Sequence, residues 1–97
     1  MHVGALQMTV HLPSSSSRKD KRAIVRHILD TARQRFKVSA SEVDHQDLWQ
    51  LAGLGFTYVS PSPSRVSEVL DQVERFVWAQ PDISVTGSTR SWLDPGS

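Results

Sequence analysis

The chain has 97 residues, enough for one domain with a single modest core. Its apolar fraction of 38% and charged fraction of 22% exclude wholesale disorder, and the lack of cysteine excludes disulfides, thiolate metal sites and cysteine nucleophiles together. The formal net charge of +1 conceals a strong segregation of charge along the chain.

Val3 to Leu12 reads as a strand, because Leu6, Met8, Val10 and Leu12 alternate with Ala5, Gln7, Thr9 and His11. Pro13 and the run Ser14 to Ser17 end it as a flexible loop. A helix follows over about Lys19 to Phe36, with Ser17 as N-cap, Asp20 three residues on, and an apolar stripe of Val25, Ile28, Leu29, Ala32 and Phe36. Val38 to Val43 reads as a short strand with Val38, Ala40 and Glu42 on one face, and His45 to Asp47 as a turn.

Leu48 to Ser60 reads as the next strand, with Leu54, Phe56 and Tyr58 on one side and Gly55, Thr57 and Val59 on the other. Gly53 and Gly55 within it mark a bulge or a close backbone approach. Pro61 and Pro63 break the chain. A second helix is expected from Ser64 or Arg65, capped by Ser64, burying Val66, Val69, Leu70, Val73 and Val77 with Phe76 at the border. Gln80-Pro81-Asp82 stops it, and a last strand is expected at Ile83 to Thr86, resuming over Arg90 to Trp92.

The order β-α-β-β-α-β predicts an α+β domain of the split βαβ kind, a four-stranded antiparallel sheet with both helices on one face and the other face open. Residues 1–93 are expected to form this one domain, with 94–97 as a tail. No apolar run approaches the roughly 20 residues of a membrane span. The amino terminus lacks the basic leader of a signal peptide, so a cytoplasmic protein is expected.

Between Arg18 and Lys37 stand eight basic residues against Asp20 and Asp30, a net of +6, while the rest of the chain holds three basic and eight acidic residues, a net of −5. At about 100° per residue, Arg22, Arg26, Arg33 and Lys37 fall in one sector on a flank of the apolar stripe. Guanidinium groups in a row match the spaced phosphates of a nucleic acid. A solvated helix face, or charge pairing with Glu68, Asp71 and Glu74 of the second helix, explains the same run.

Trp49, Trp78 and Trp92 read as core or rim packing, since the alternation puts no pair of exposed aromatics on adjacent central strands. The spacing of His2, His11, His27 and His45 makes no metal site. The serine run lacks the glycines of a phosphate-cradling loop, and no nucleophile–base arrangement stands out. No enzyme, metal or cofactor is expected.

Several strings carry a resemblance: the amino-terminal strand followed by Pro13, then Ser17-Arg18-Lys19-Asp20-Lys21-Arg22, Phe36 to Val43, Asp47-Leu48-Trp49-Gln50 and Leu54-Gly55. Together they resemble the bacterial YlxP-like family of small domains of unknown function, over nearly the whole chain to about Trp92. The resemblance implies a ferredoxin-like fold and a genetic setting among translation and ribosome-maturation genes. It supplies no catalytic residues. Lys19, Lys21, Arg22, Asp47, Trp49 and Gln50 match the family's recurring positions, whereas Arg18 stands where the family tends to have leucine and Leu51 where it often has a basic residue.

The leading expectation is a non-catalytic protein associated with RNA or the ribosome, in which Arg18, Lys19, Lys21, Arg22, Arg26, Arg33 and Lys37 contact phosphates; single-stranded DNA meets the same chemistry. The alternative is a homodimeric structural or adaptor domain that binds protein partners through its open sheet face.

Overall fold

The alternation of apolar and polar residues is realised strand by strand. In the computed structural model, which describes residues 1–93, the elements run β1 (His2–His11), α1 (Arg18–Phe36), β2 (Ser39–Asp44), β3 (Leu51–Ser60), α2 (Pro63–Trp78) and β4 (Ser84–Leu93). The tail expected at 94–97 lies outside the described residues. The strands form one antiparallel sheet in the order β2-β3-β1-β4, the ferredoxin-like α+β arrangement.

Leu6 faces Phe56, Met8 faces Leu54 and Val10 faces Ala52 across the β1–β3 ladder, and all six side chains are buried. Val25, Ile28, Leu29 and Ala32 of α1 and Val66, Val69, Leu70, Val73 and Val77 of α2 close over them as one core. The i, i+3, i+4 spacing of these residues gives each helix a single face to bury, so both helices cover the same side of the sheet. Phe36 and Phe76 meet edge to face at 5.6 Å between ring centroids where the helices adjoin.

The glycines of β3 fulfil both roles expected of them. Opposite them β2 carries one extra residue, Val43, between Glu42, which faces Leu54, and Asp44, which faces Gly53. A Cβ on Gly53 would lie 2.7 Å from Asp44 Cβ, and one on Gly55 would lie 2.9 Å from Val43 Cγ1. The bulge and the close approach therefore need each other.

Beyond shifts of one residue at the ends of β1, α1 and β2, three differences from expectation have a physical reason. β3 begins at Leu51 instead of Leu48, because β2 ends at Asp44 opposite Gly53 and leaves residues 48–50 without a partner strand on that side. The cap of α2 is Ser62, whose hydroxyl accepts from Arg65 N, so the helix starts at Pro63, where a fixed φ and a missing N–H cost nothing. β4 is continuous: Gly87, Ser88 and Thr89, whose side chains give no strand signal, pair through their backbones with Thr9, Met8 and Gln7 of β1. Thr86 is its one extra residue, and its hydroxyl donates to Thr9 O at 3.2 Å.

Gly4 lets α2 approach the sheet. A Cβ there would fall 2.6 Å from Val66 Cγ1 and 2.8 Å from Leu70 Cδ1, both in the buried face of the helix. Gly4→Ala is expected to destabilise the protein by about 1–3 kcal/mol through overpacking. Urea unfolding checks it, the midpoint falling while the slope is unchanged.

Candidate nucleic-acid interface

The start of α1 is more ordered than a serine run promises. Ser17 caps the helix in an extended conformation, and its hydroxyl accepts from Asp20 N at 3.2 Å. The Asp20 carboxylate accepts in turn from the Ser16 hydroxyl at 2.8 Å and from Ser16 N at 3.2 Å. Ser15 is buried, and its hydroxyl donates to Ser17 O. The expected flexible loop is thus a bonded helix start over Ser15–Ser17. The Ser16 hydroxyl and backbone N–H hold the Asp20 carboxyl below the usual aspartate range, outweighing the opposing effect of desolvation.

Among the cations, the structure separates three groups. Arg18, Lys19, Arg22 and Arg26 are exposed, and among the described residues none of them makes a salt bridge. Arg33 is half-exposed and held: Nη1 lies 2.7 Å from Asp30 Oδ1, and Nη2 donates to Ala40 O. Lys37 is exposed but adopts the left-handed C-cap conformation at φ 60°, so it leaves the helical row that sequence spacing assigned to it.

Lys21 forms the third group and is misplaced as a phosphate contact. It is 4% exposed. Its ammonium lies 2.8 Å from Glu42 Oε2 on the inward face of β2 and donates to His45 O at 2.7 Å and to Leu48 O at 2.5 Å. The contact with Glu42 is one of charge more than of direction, since Oε2 accepts no well-aligned hydrogen bond. Lys21 lies four residues before Val25, on the buried stripe, so its long apolar stem packs inward while its charge reaches the sheet edge.

The acidic residues of α2 do not neutralise α1. Asp71 and Glu74 are taken by Arg90 of β4, at 2.7 and 3.3 Å, and Glu68 pairs with Arg65 one turn away at 3.4 Å. Arg35, on the other flank of α1, stacks over the Phe36 ring at 5.2 Å.

None of the three tryptophans enters the core. Trp49, Trp78 and Trp92 are 52%, 58% and 53% exposed, which leaves rim packing, and not core packing, of the two placements expected; the Trp92 ring lies against Gly4. Trp49 and Leu48 project from the loop between β2 and β3. That loop is fixed by Lys21, by a turn in which Leu48 N donates to His45 O, by Leu12 N donating to Gln50 O, and by Gln50 Nε2 donating to Ser15 O. The sequence signal that locates it is an apolar pair, Leu48-Trp49, set between Asp47 and Gln50 directly after a turn.

The uncovered face of the sheet holds a shallow concavity of about 360 Å³ with Ala5, Gln7, Ser41, Gly55, Thr57 and Thr89 in its floor and rim. Among the described residues no group of three His, Asp or Glu side chains gathers to hold a metal ion, and no helix is long and apolar enough to cross a membrane.

A family model described as "Protein of unknown function (DUF503)" matches residues 3–90. The uncharacterized protein YlxP of Bacillus subtilis (strain 168) is 31% identical over 91 residues, which cover 94% of this chain and 99% of that relative.

Two predictions arise from the first turns of α1. Lys21→Met leaves the Glu42 carboxylate without its counter-charge and two loop carbonyls without their donor and should cost about 3–5 kcal/mol. The double variant with Glu42→Leu should recover part of that loss in chemical denaturation. Asp20 stabilises the helix start fully above the usual aspartate pKa and loses that contribution as pH falls through its lowered folded value. The Ser16 amide resonance, followed by NMR, should therefore move at a pH below the ordinary aspartate range.

Proposed function

The chain belongs to the DUF503 family of proteins of unknown function, and we propose that it is a non-catalytic, cytoplasmic protein that grips nucleic acid, RNA foremost, through the first three turns of α1. The observation that carries this reading is the exposure of Arg18, Lys19, Arg22 and Arg26 without salt bridges among the described residues, on a helix whose net charge is not cancelled by α2. Guanidinium and ammonium groups presented on rigid backbone favour phosphate, and such contacts position a strand without reading its sequence. The setting that the family resemblance implies, among translation and ribosome-maturation genes, favours RNA or the ribosome over DNA. Arg33 and Lys37 flank this cluster as lesser contacts, the first because Asp30 and Ala40 O already hold it. Lys21 has no part in it.

A second reading is a homodimeric adaptor. The observation that favours it is the uncovered sheet face, where Val43 and Val59 are exposed beside the concavity floored by Gly55. The two readings are compatible, since a dimer doubles the cationic surface.

Fluorescence anisotropy of labelled RNA tests the first reading. Arg22→Ala/Arg26→Ala should weaken binding and lower the slope of log affinity against log salt by about 1.4 for a single strand. A wild-type protein that binds no RNA or DNA at low salt removes the reading. Sedimentation tests the second: a strict monomer at high concentration removes it, and a dimer dispersed by Val59→Asp supports it.

A further inference from the structure

The loop of residues 45–50 is held more firmly than a hairpin connection requires, yet its two largest apolar side chains face water. Lys21 Nζ, Leu12 N and Gln50 Nε2 all spend hydrogen bonds on its backbone or on its anchoring to Ser15. Leu48 and Trp49 are nevertheless 48% and 52% exposed. A rigid backbone that displays an indole presents a preformed flat surface, and binding to it loses little conformational freedom.

The same bonds fix where that surface sits. Ser15 lies just before α1 and Lys21 lies in its first turns, so the loop is joined to the helix end that carries Arg18, Lys19 and Arg22. Beside Trp49 is an open concavity of about 550 Å³ whose lining combines apolar Leu48, Trp49 and Leu51 with the hydrogen-bonding side chains of His11, Asp47 and Gln50. The other two tryptophans lack this company. Trp78 borders a depression whose lining includes Arg75 and Arg90 as well as Asp71 and Glu74, with Arg90 already paired to both carboxylates, and the Trp92 ring lies where it would crowd a Cβ on Gly4.

We propose that Trp49 is a stacking platform for an unpaired base of a single-stranded nucleic acid whose phosphates lie along Arg18, Lys19 and Arg22. The proposal rests on the nucleic-acid reading above and specifies its ligand as single-stranded. Every base has a π-face and stacks on an indole, whereas a duplex keeps its bases stacked within itself. The Asp47 carboxylate repels phosphate, so the backbone passes on the helix side and the base turns toward the loop. Leu48 extends the apolar surface under the sugar or the neighbouring base.

The test uses the full chain, fluorescein-labelled oligouridine, the corresponding DNA oligomer, and an RNA duplex of mixed sequence. Trp49→Ala should weaken single-strand binding about five- to a hundredfold and leave duplex binding unchanged. Trp49→Phe, which keeps a ring, should retain most of the affinity. Selective loss on either single strand supports the proposal, and the RNA and DNA arms identify which backbone is preferred. Equal loss on single strand and duplex overturns it, as does no loss on either while Arg22→Ala/Arg26→Ala weakens both; in that last case phosphate binding by α1 stands without it. Absence of binding by the wild-type chain to all three probes overturns both.

Discussion

The ammonium of Lys21 is the point at which the helix layer, the sheet edge and the β2–β3 loop are joined. Its partners come from β2, through Glu42, and from the β2–β3 loop, through His45 O and Leu48 O. A buried cation is tolerated only when charge and hydrogen bonds both meet it, and here a carboxylate and two carbonyls do. Turning Lys21 inward also sets the azimuth of α1. Arg22, one residue on, is rotated by about 100° and faces water, and Arg26 follows it one turn later. The exposed cations and the core stripe are thus consequences of one rotational setting of the helix.

The fold was legible because its elements are strongly patterned. β1 and β3 alternate cleanly, and the buried positions of α1 and α2 recur at helical spacing. Even Gly53 and Gly55 announced a bulge, which the extra residue Val43 supplies on the facing strand. What pattern did not disclose was pairing that depends on backbone alone. Gly87-Ser88-Thr89 has no strand signal of its own and is held in β4 by β1. The Ser62 cap was obscured by a second serine two residues later, and Pro63 between them decides in favour of Ser62 because it suits the first helical position.

The candidate site was legible only in part, for a related reason. Charge counted along a helix does not distinguish a cation that meets water from one that meets a carboxylate. Glu42, the partner of Lys21, lies on another strand, and its inward position in β2 was the available clue. Arg33 found Asp30 within its own helix, whereas Asp71 and Glu74, which stood as possible partners for α1, are engaged by Arg90 across the molecule. Arg18, Lys19, Arg22 and Arg26, the cations of the helical run that remain open, all lie in the first half of α1. Sequence left the tryptophans a choice of core or rim, and the core is filled by Phe56 and by aliphatic side chains, so all three stand outside it.

Both outer strands of the sheet, β2 and β4, carry an extra residue, Val43 in one and Thr86 in the other. Each breaks the even row of donors and acceptors that an approaching chain would copy. Lateral growth, strand against strand from molecule to molecule, is therefore interrupted on both rims. Copies that meet at high concentration are directed to pack broadside or to stay apart, and ribbon-like aggregates are disfavoured by the geometry of the sheet itself.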